Sequence, residues 1–468
     1  MKSAIKPFGV TLLGVGLLIA GCAKQQASSL TSLKDPDVAA QLKAFVAEKE
    51  AQANAATNNL PPEFKAFFAA AQKGDWLAVS NQFEDFRKHA GQYEHSGKTD
   101  ERLRGPAWEA VKEIWGALYS FNVSGEKYAT AFGNGIVESI PAGSIYFGGT
   151  DPGRFLITGM QKSQVNGEPF FTITQNALAD STYLDYLQSM YGGKIYTPTQ
   201  KDSQKSFQDY TADVTRRQQN HQLKPGEDVK VDAASGRVQV SGQVAVMEIN
   251  GLLVKTIFDK NPDREFYVEE SFPLDWMYPH LEPHGLIMKI NRQPLPALSD
   301  EIVKQDRDYW VKCLTPMIGD WLDTGTPVGE VTAFAEKIYV KNDLSEFKGD
   351  PQFIQSWDAQ KMFSKLRSAI GELYVWRMNH AANASEKERM AHEADFAFRQ
   401  GLALCPSSPE VVYRYVNFLL SQNRLADALA VAEVAAKTSQ PSREDDGQLN
   451  QLVQQLREFQ KQQSQKAK

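Results

Sequence analysis

The residues best suited by type and spacing to do chemistry lie in SIYFGGTDPGRF, residues 144 to 155. A short apolar run stops at Gly148 and Gly149, an Asp-Pro-Gly turn follows, and a helical pattern opens at Arg154. Open α/β sheets bind ligands at such junctions, past the carboxyl end of a strand and before a helix. The helix start, helped by Arg154, could hold an anion. Gly149, Thr150, Asp151, Gly153 and Arg154 are therefore the candidate binding residues, and a second strand pattern ending at Gln175 adds Asn176 and Asp180 to the same crevice. The spacing matches neither a dinucleotide fingerprint nor a phosphate-binding loop with its Lys-Ser/Thr pair. Pro152 also removes one amide donor. A bland reading fits the same residues: Asp151 as a helix cap, Arg154 paired with a nearby carboxylate, Asn176 and Asp180 as caps. Both readings stay open at the level of sequence.

Other reactive residue types are less suggestive. Glu269 and Glu270 follow an aromatic strand and invite general acid/base work, but neighbours on a strand face opposite ways. His280 and His284 are four apart, yet Pro283 between them argues against a helix that would aim both rings at one metal. There is no Gly-x-Ser-x-Gly elbow and no context for a catalytic cysteine. No catalytic residue, metal or cofactor is implied.

The elements that would position these residues follow from periodicity. Residues 60 to 91 repeat apolar side chains at helical spacing on both sides of Lys73-Gly74-Asp75, which predicts a helical hairpin. Trp108, Val111, Trp115 and Leu118 share one face of a third helix. From residue 128 a rhythm of strand, helix, strand, helix predicts a parallel sheet with crossover helices, its strands at 144–149, 169–175, 265–272 and 284–291. LITGMQKSQ is expected to continue as helix, residues 198–228 to form a polar arm, and 229–240 a small hairpin. Near the end, Ala394, Phe398 and Gly401 are followed 34 residues later by Ala428, Ala432 and Ala435, with Tyr415 and Leu419 between. Thirty-four residues is the period of tetratricopeptide repeats, and this stretch resembles that family, with a polar capping helix after it. The expected fold is thus α/β: a Rossmann-like parallel-sheet domain at 128–320, flanked by helical hairpins at 60–127 and a tetratricopeptide-like helical domain at 330–468.

The central segments GSIYFGGTDPGRF, FFTITQNALADSTYLDYL and NPDREFYVEESFPLDWMYPHLEPHGLIMKINRQP carry a further resemblance. Residues 128 to 320 resemble the soluble part of a family of bacterial multi-pass proteins, the protein O-mannosyltransferase-like family. The resemblance implies a Rossmann-like module and sugar or polyprenyl-linked partners. Transferases of that architecture keep their acidic catalytic residues in loops of a multi-pass region absent here, so it implies no catalytic residue.

The first residues speak to location. Lys2 and Lys6 lead an apolar stretch from Phe8 to Ala20, and Ile19-Ala20-Gly21-Cys22 closes it. This is the pattern of a bacterial lipoprotein leader, residues 1–21, with Cys22 as the acylation point. Residues 22–59 then read as a tether and a weakly amphipathic helix whose job is spacing. The expectation is a membrane-anchored lipoprotein on the periplasmic or extracellular face, at the outer membrane if there is one. Cys313 and Cys405 lie in different helical patterns and imply no disulfide framework. A formal charge of −6, from 51 basic and 57 acidic residues, argues against nucleic acid as a partner. Two functions of different class remain. One is an interaction or accessory module that meets a protein partner through its helical repeats. The other is a carbohydrate-active or glycan-transfer enzyme, or a ligand sensor, using the crevice for a glycan or sugar-linked ligand.

Overall fold

The computed structural model describes residues 33–57, 59–89, 100, 103, 105–231, 238–269, 274–438 and 446–466. The leader, Cys22, the first part of the tether, the 232–237 turn and Glu270 lie outside the described residues.

Five helices open the chain: α1 (Pro36–Ala56), α2 (Pro62–Gln72), α3 (Trp76–His89), α4 (Pro106–Ser124) and α5 (Glu126–Val137). Asp35 caps α1 by accepting the amide of Asp37 at 2.9 Å, and Pro36 sits where a helix needs no N–H. Although α1 reads as a spacer, it is docked: Leu42, Phe45, Val46, Lys49 and Ala53 are buried, and the helix packs along α4. The α2–α3 hairpin forms as its sequence predicts, turning at Gly74 with φ +70°. Most of α4 is buried, and Phe83 of α3 stacks on Trp115 (4.2 Å) and Trp108 (5.4 Å).

The sheet follows. β1 (Ile145–Gly148) leads through a π-helical turn at 152–156 and the short α6 (Ile157–Met160) to β2 (Phe171–Thr174). Helix ends at Met160, earlier than LITGMQKSQ suggests, because Gln161 turns extended and is tied to β2. Its amide donates to Phe170 O (2.6 Å) and accepts from the Thr172 hydroxyl (2.7 Å). Next come α7 (Ser181–Tyr191), α8 (Gln200–Gln219), β3 (Asp228–Val231), β4 (Val238–Ser241), α9 (Gln243–Lys260), β5 (Phe266–Glu269), β6 (Leu281–His284), β7 (Ile287–Ile290) and α10 (Asp300–Ile318). The polar arm is thus mostly the helix α8, which packs against α9 across the two-stranded β3–β4 hairpin.

The main sheet has five strands in the order β2-β1-β5-β7-β6. β1 pairs parallel with both β2 and β5, as the strand-helix rhythm predicts. The other half corrects the all-parallel expectation, for β7 runs antiparallel to β5 and to β6. The cause is local: two residues link β6 to β7, with Gly285 at φ +60°, and so short a loop can only fold a strand back on its neighbour.

The C-terminal part is helical: α11 (Val328–Ala335), a π turn at 336–340, α12 (Pro351–Gln355), α13 (Trp357–Asn379), α14 (Ala384–Leu404), α15 (Pro409–Ser421), α16 (Leu425–Thr438) and α17 (Asp446–Lys466). α13 and α14 pack closely because Gly371 has no side chain; a Cβ there would lie 2.8 Å from the Phe398 ring. α13 also leans on α4, α5, β6 and β7, while α15 and α16 stack outward and α17 covers α16. One continuous buried apolar cluster runs from Leu42 in α1 to Leu456 in α17. No described helix is long and apolar enough to cross a membrane.

Candidate functional site

The crevice expected from sequence lies where β1 and β5 end side by side, with Gly148 in register with Glu269. Strand β5 is buried along its whole length, so Glu269 enters the protein with its carboxylate out of contact with solvent. A buried carboxylate must find hydrogen-bond donors, and the turn after β1 supplies them. The amides of Gly149 and Thr150 donate to Glu269 Oε2 at 2.9 and 2.8 Å, and the Thr150 hydroxyl donates to Oε1 at 2.6 Å. The same hydroxyl accepts the Gly153 amide at 3.0 Å, which closes the turn around the carboxylate. Gly153 is required there, since a Cβ would fall 2.1 Å from Glu269 Oε2. Below the turn, the buried Tyr146 hydroxyl donates to Gly153 O at 2.6 Å. Burial first, and the Glu269 charge second, hold the Tyr146 phenol well above its usual range, so it stays a neutral donor.

The turn that sequence reasoning offered as a site for an external anion is therefore filled by a carboxylate of the protein itself. Arg154 does not point a free charge at a ligand either. It is buried, bonded through Nη2 to Asp151 Oδ1 at 2.6 Å and through Nε at 3.2 Å, with its guanidinium 4.1 Å from the Phe155 ring centroid. Asp151 makes no side-chain cap bond; its role is the pair with Arg154.

Asn176 and Asp180 stand beside this turn and serve the backbone. Asn176 Nδ2 donates to Gly149 O at 3.2 Å. Asp180 caps α7 by accepting the Thr182 amide at 2.8 Å. Asn250 of α9 holds the segment between them, donating to Asn176 O (2.9 Å) and accepting from Ala179 N (2.6 Å). The structure thus brings Gly149, Thr150, Gly153 and Asn176 into one hydrogen-bonded unit around Glu269, with the Asp151–Arg154 pair on its rim and Asp180 nearby at the start of α7.

No protein-family model, no curated protein and no solved structure matches this chain. The reading of its sites therefore rests on geometry.

The other residues singled out by sequence lie apart. His280 Nδ1 is bonded to Asn291 O (2.7 Å) and His284 Nε2 to Ser139 O (2.8 Å), so the rings serve separate backbone carbonyls. Among the described residues, no three His, Cys, Asp or Glu side chains gather as a metal would need. Neither Cys313 nor Cys405 is in a disulfide, and burial pushes the Cys313 thiol up to about 12.

Sequence reasoning missed three buried polar centres. Lys49 of α1, fully buried, pairs with Glu113 of α4 at 2.7 Å and donates to the Tyr186 hydroxyl at 2.8 Å. Tyr186 and Gln164 in turn donate to the same carboxylate at 2.7 and 3.0 Å. One turn earlier on α4, burial raises the Glu109 carboxyl above its usual range against the opposing pull of Lys112. In the C-terminal half, Arg367 of α13 clasps Asp306 of α10 with Nη1 at 3.0 and 2.8 Å, neither group exposed. Charged residues at apolar helical positions, such as Lys49 after Phe45 and Val46, are the signal that could have found them.

Proposed function

We propose that this chain is a lipid-anchored cell-envelope protein, attached through Cys22 and facing the periplasm or exterior, that works as an interaction or accessory module through its helical hairpins. The observation that carries this reading is the use of the carboxyl-edge turn: its amides and hydroxyl are spent on Glu269, and its arginine on Asp151. A crevice whose donors are already satisfied by the protein's own groups is poorly equipped to hold and activate a glycan. The work of that turn is support, tying β1 to β5.

The helical hairpins offer what an interaction module needs. α13 with α14 and α15 with α16 form successive antiparallel pairs, and α17 covers the last one. The 34-residue spacing of small residues and their place at the close approaches support a tetratricopeptide-like assembly. Its inner helix α13 lies on the α/β part, so the surface offered to a partner is the outer one, on α15 and α17, where Asn417, Gln451 and Gln455 are exposed. Photo-crosslinking from these positions in intact cells tests the proposal. One reproducible protein adduct supports it; adducts no different from those at positions elsewhere on the surface reject it.

A further inference from the structure

A cleft of about 620 Å³ opens at the opposite, amino edge of the sheet, where the end of α7, the start of α8 and the end of α9 meet. That volume falls in the range of small-molecule sites, roughly 300–1,000 Å³. Its frame is fixed by hydrogen bonds. Asn261 Oδ1 accepts the Tyr196 amide at 2.8 Å, and its Nδ2 donates to Tyr196 O (3.1 Å) and Ile257 O (2.9 Å), which stitches one wall to the other. Arg264 donates to Gly143 O and Lys194 O at 3.0 and 3.3 Å, holding the floor.

The charge of this cleft runs against that of the chain. Lys194, Lys260 and Arg264 face it with Asp263 as the sole carboxylate of its lining, in a protein of formal charge −6. The ends of α7 and α9 would oppose an anion through their carbonyls, but two of those of α9 are already taken: Ile257 O by Asn261, and Phe258 O by Arg292 at 2.5 Å. Lys260 is exposed, and its charge also acts on the Asp202 carboxylate beside the cleft, which accepts the Tyr196 hydroxyl at 2.7 Å. Gln188 accepts the Thr197 hydroxyl at 2.6 Å through Oε1, which leaves its amide nitrogen as a donor. Lys194 Nζ donates to Val165 O at 2.9 Å and Arg264 to the floor, so the donors left to a ligand are chiefly the Lys260 ammonium and the Gln188 amide, set beside the ring of Tyr196 and Pro262.

We propose that this cleft binds a sugar-sized ligand carrying one phosphate or carboxylate. The anion is met by Lys260, with the charges of Lys194 and Arg264 nearby, the hydroxyls by Gln188 and Asp263, and the sugar face by Tyr196. This site is separate from the outer helices, so it stands or falls independently of the interaction reading.

The test is calorimetric titration of the full-length chain with glucose 6-phosphate, glucuronate, glucose and inorganic phosphate, repeated with Lys260→Glu. The expected result is saturable one-to-one binding of at least one anionic sugar, weakened by added salt. The stronger of the two identifies phosphate or carboxylate as the recognised group. Lys260→Glu is expected to weaken that binding by about tenfold or more, the effect of losing a charge-assisted contact, with the melting temperature of the unliganded protein unchanged. Failure of both anionic sugars, binding of glucose or bare phosphate as tight as theirs, or an unchanged affinity in Lys260→Glu would overturn the proposal.

Discussion

At the scale of single residues, the account turns on Glu269 as a built-in anion. Removing its side chain strands two buried amides and a hydroxyl, each of which costs about 1–3 kcal/mol unpaired. Glu269→Ala is therefore expected to lose about 3 kcal/mol or more by denaturant titration, and Glu269→Gln, which keeps an acceptor, about half as much. If the turn is an anion nest, acetate or formate raises the melting temperature of Glu269→Ala and leaves the natural protein unmoved. Glu109 gives a second prediction, on pH. Its carboxyl is held above the usual range by burial, so folding favours the protonated form, and its contribution to stability is lost as pH rises above the usual carboxyl value of about 4 through the raised one. Glu109→Gln is expected to melt higher than the natural protein at pH 8, with the gap closing toward pH 4; a gap independent of pH would contradict the assignment. Neither role is legible in the sequence. Glu269 meets Gly149 across 120 residues, and nothing local distinguishes a carboxylate that will be buried from one left on the surface. The glycines were legible, because two of them closing an aromatic strand mark a turn, but what fills the turn comes from another strand.

Elements were legible where one face is apolar and the ends are punctuated. β1, β2, β5 and β7 are short aromatic or aliphatic runs, and the hairpins of the C-terminal half show small residues at matched positions. β6 was not, since Pro283 and the flanking charged and imidazole side chains break the strand pattern of Leu281–His284, and its pairing exists only because Gly285 folds β7 against it. α8 was read as a polar arm for a similar reason: only Ser206, Tyr210 and Val214 of its twenty residues are buried. How elements are joined was legible least. Asp306 of α10 and Arg367 of α13 form a fully buried pair, and Tyr374 donates to the same carboxylate at 2.8 Å. Breaking such a pair from one side leaves a stranded charge, at a cost of about 3–5 kcal/mol. Asp306→Ala is expected to destabilise the protein by that amount, and Asp306→Ala combined with Arg367→Met by clearly less. Equal losses in the single and double variants would show that the pair does not couple the two helices.

For the whole molecule, the arrangement assigns different work to different faces. The carboxyl edge of the sheet is a structural joint, the amino edge holds an open cationic cleft, and α13 binds the helical half to the α/β half so that α15 to α17 are presented outward. Docking of α1 on α4 through Lys49 and Glu113 means that residues 36–56, read from sequence as a spacer, belong to the core. The central claim is that the outward helices meet a protein partner at the envelope. The measurement that tests it most directly is photo-crosslinking in intact cells from Asn417 and Gln455, with Lys201 and Asp259 of the α/β part as controls, all four exposed. The account predicts one discrete adduct from Asn417 and Gln455 that is missing from the controls. Adducts absent from the helices, or equal at all four positions, would contradict it.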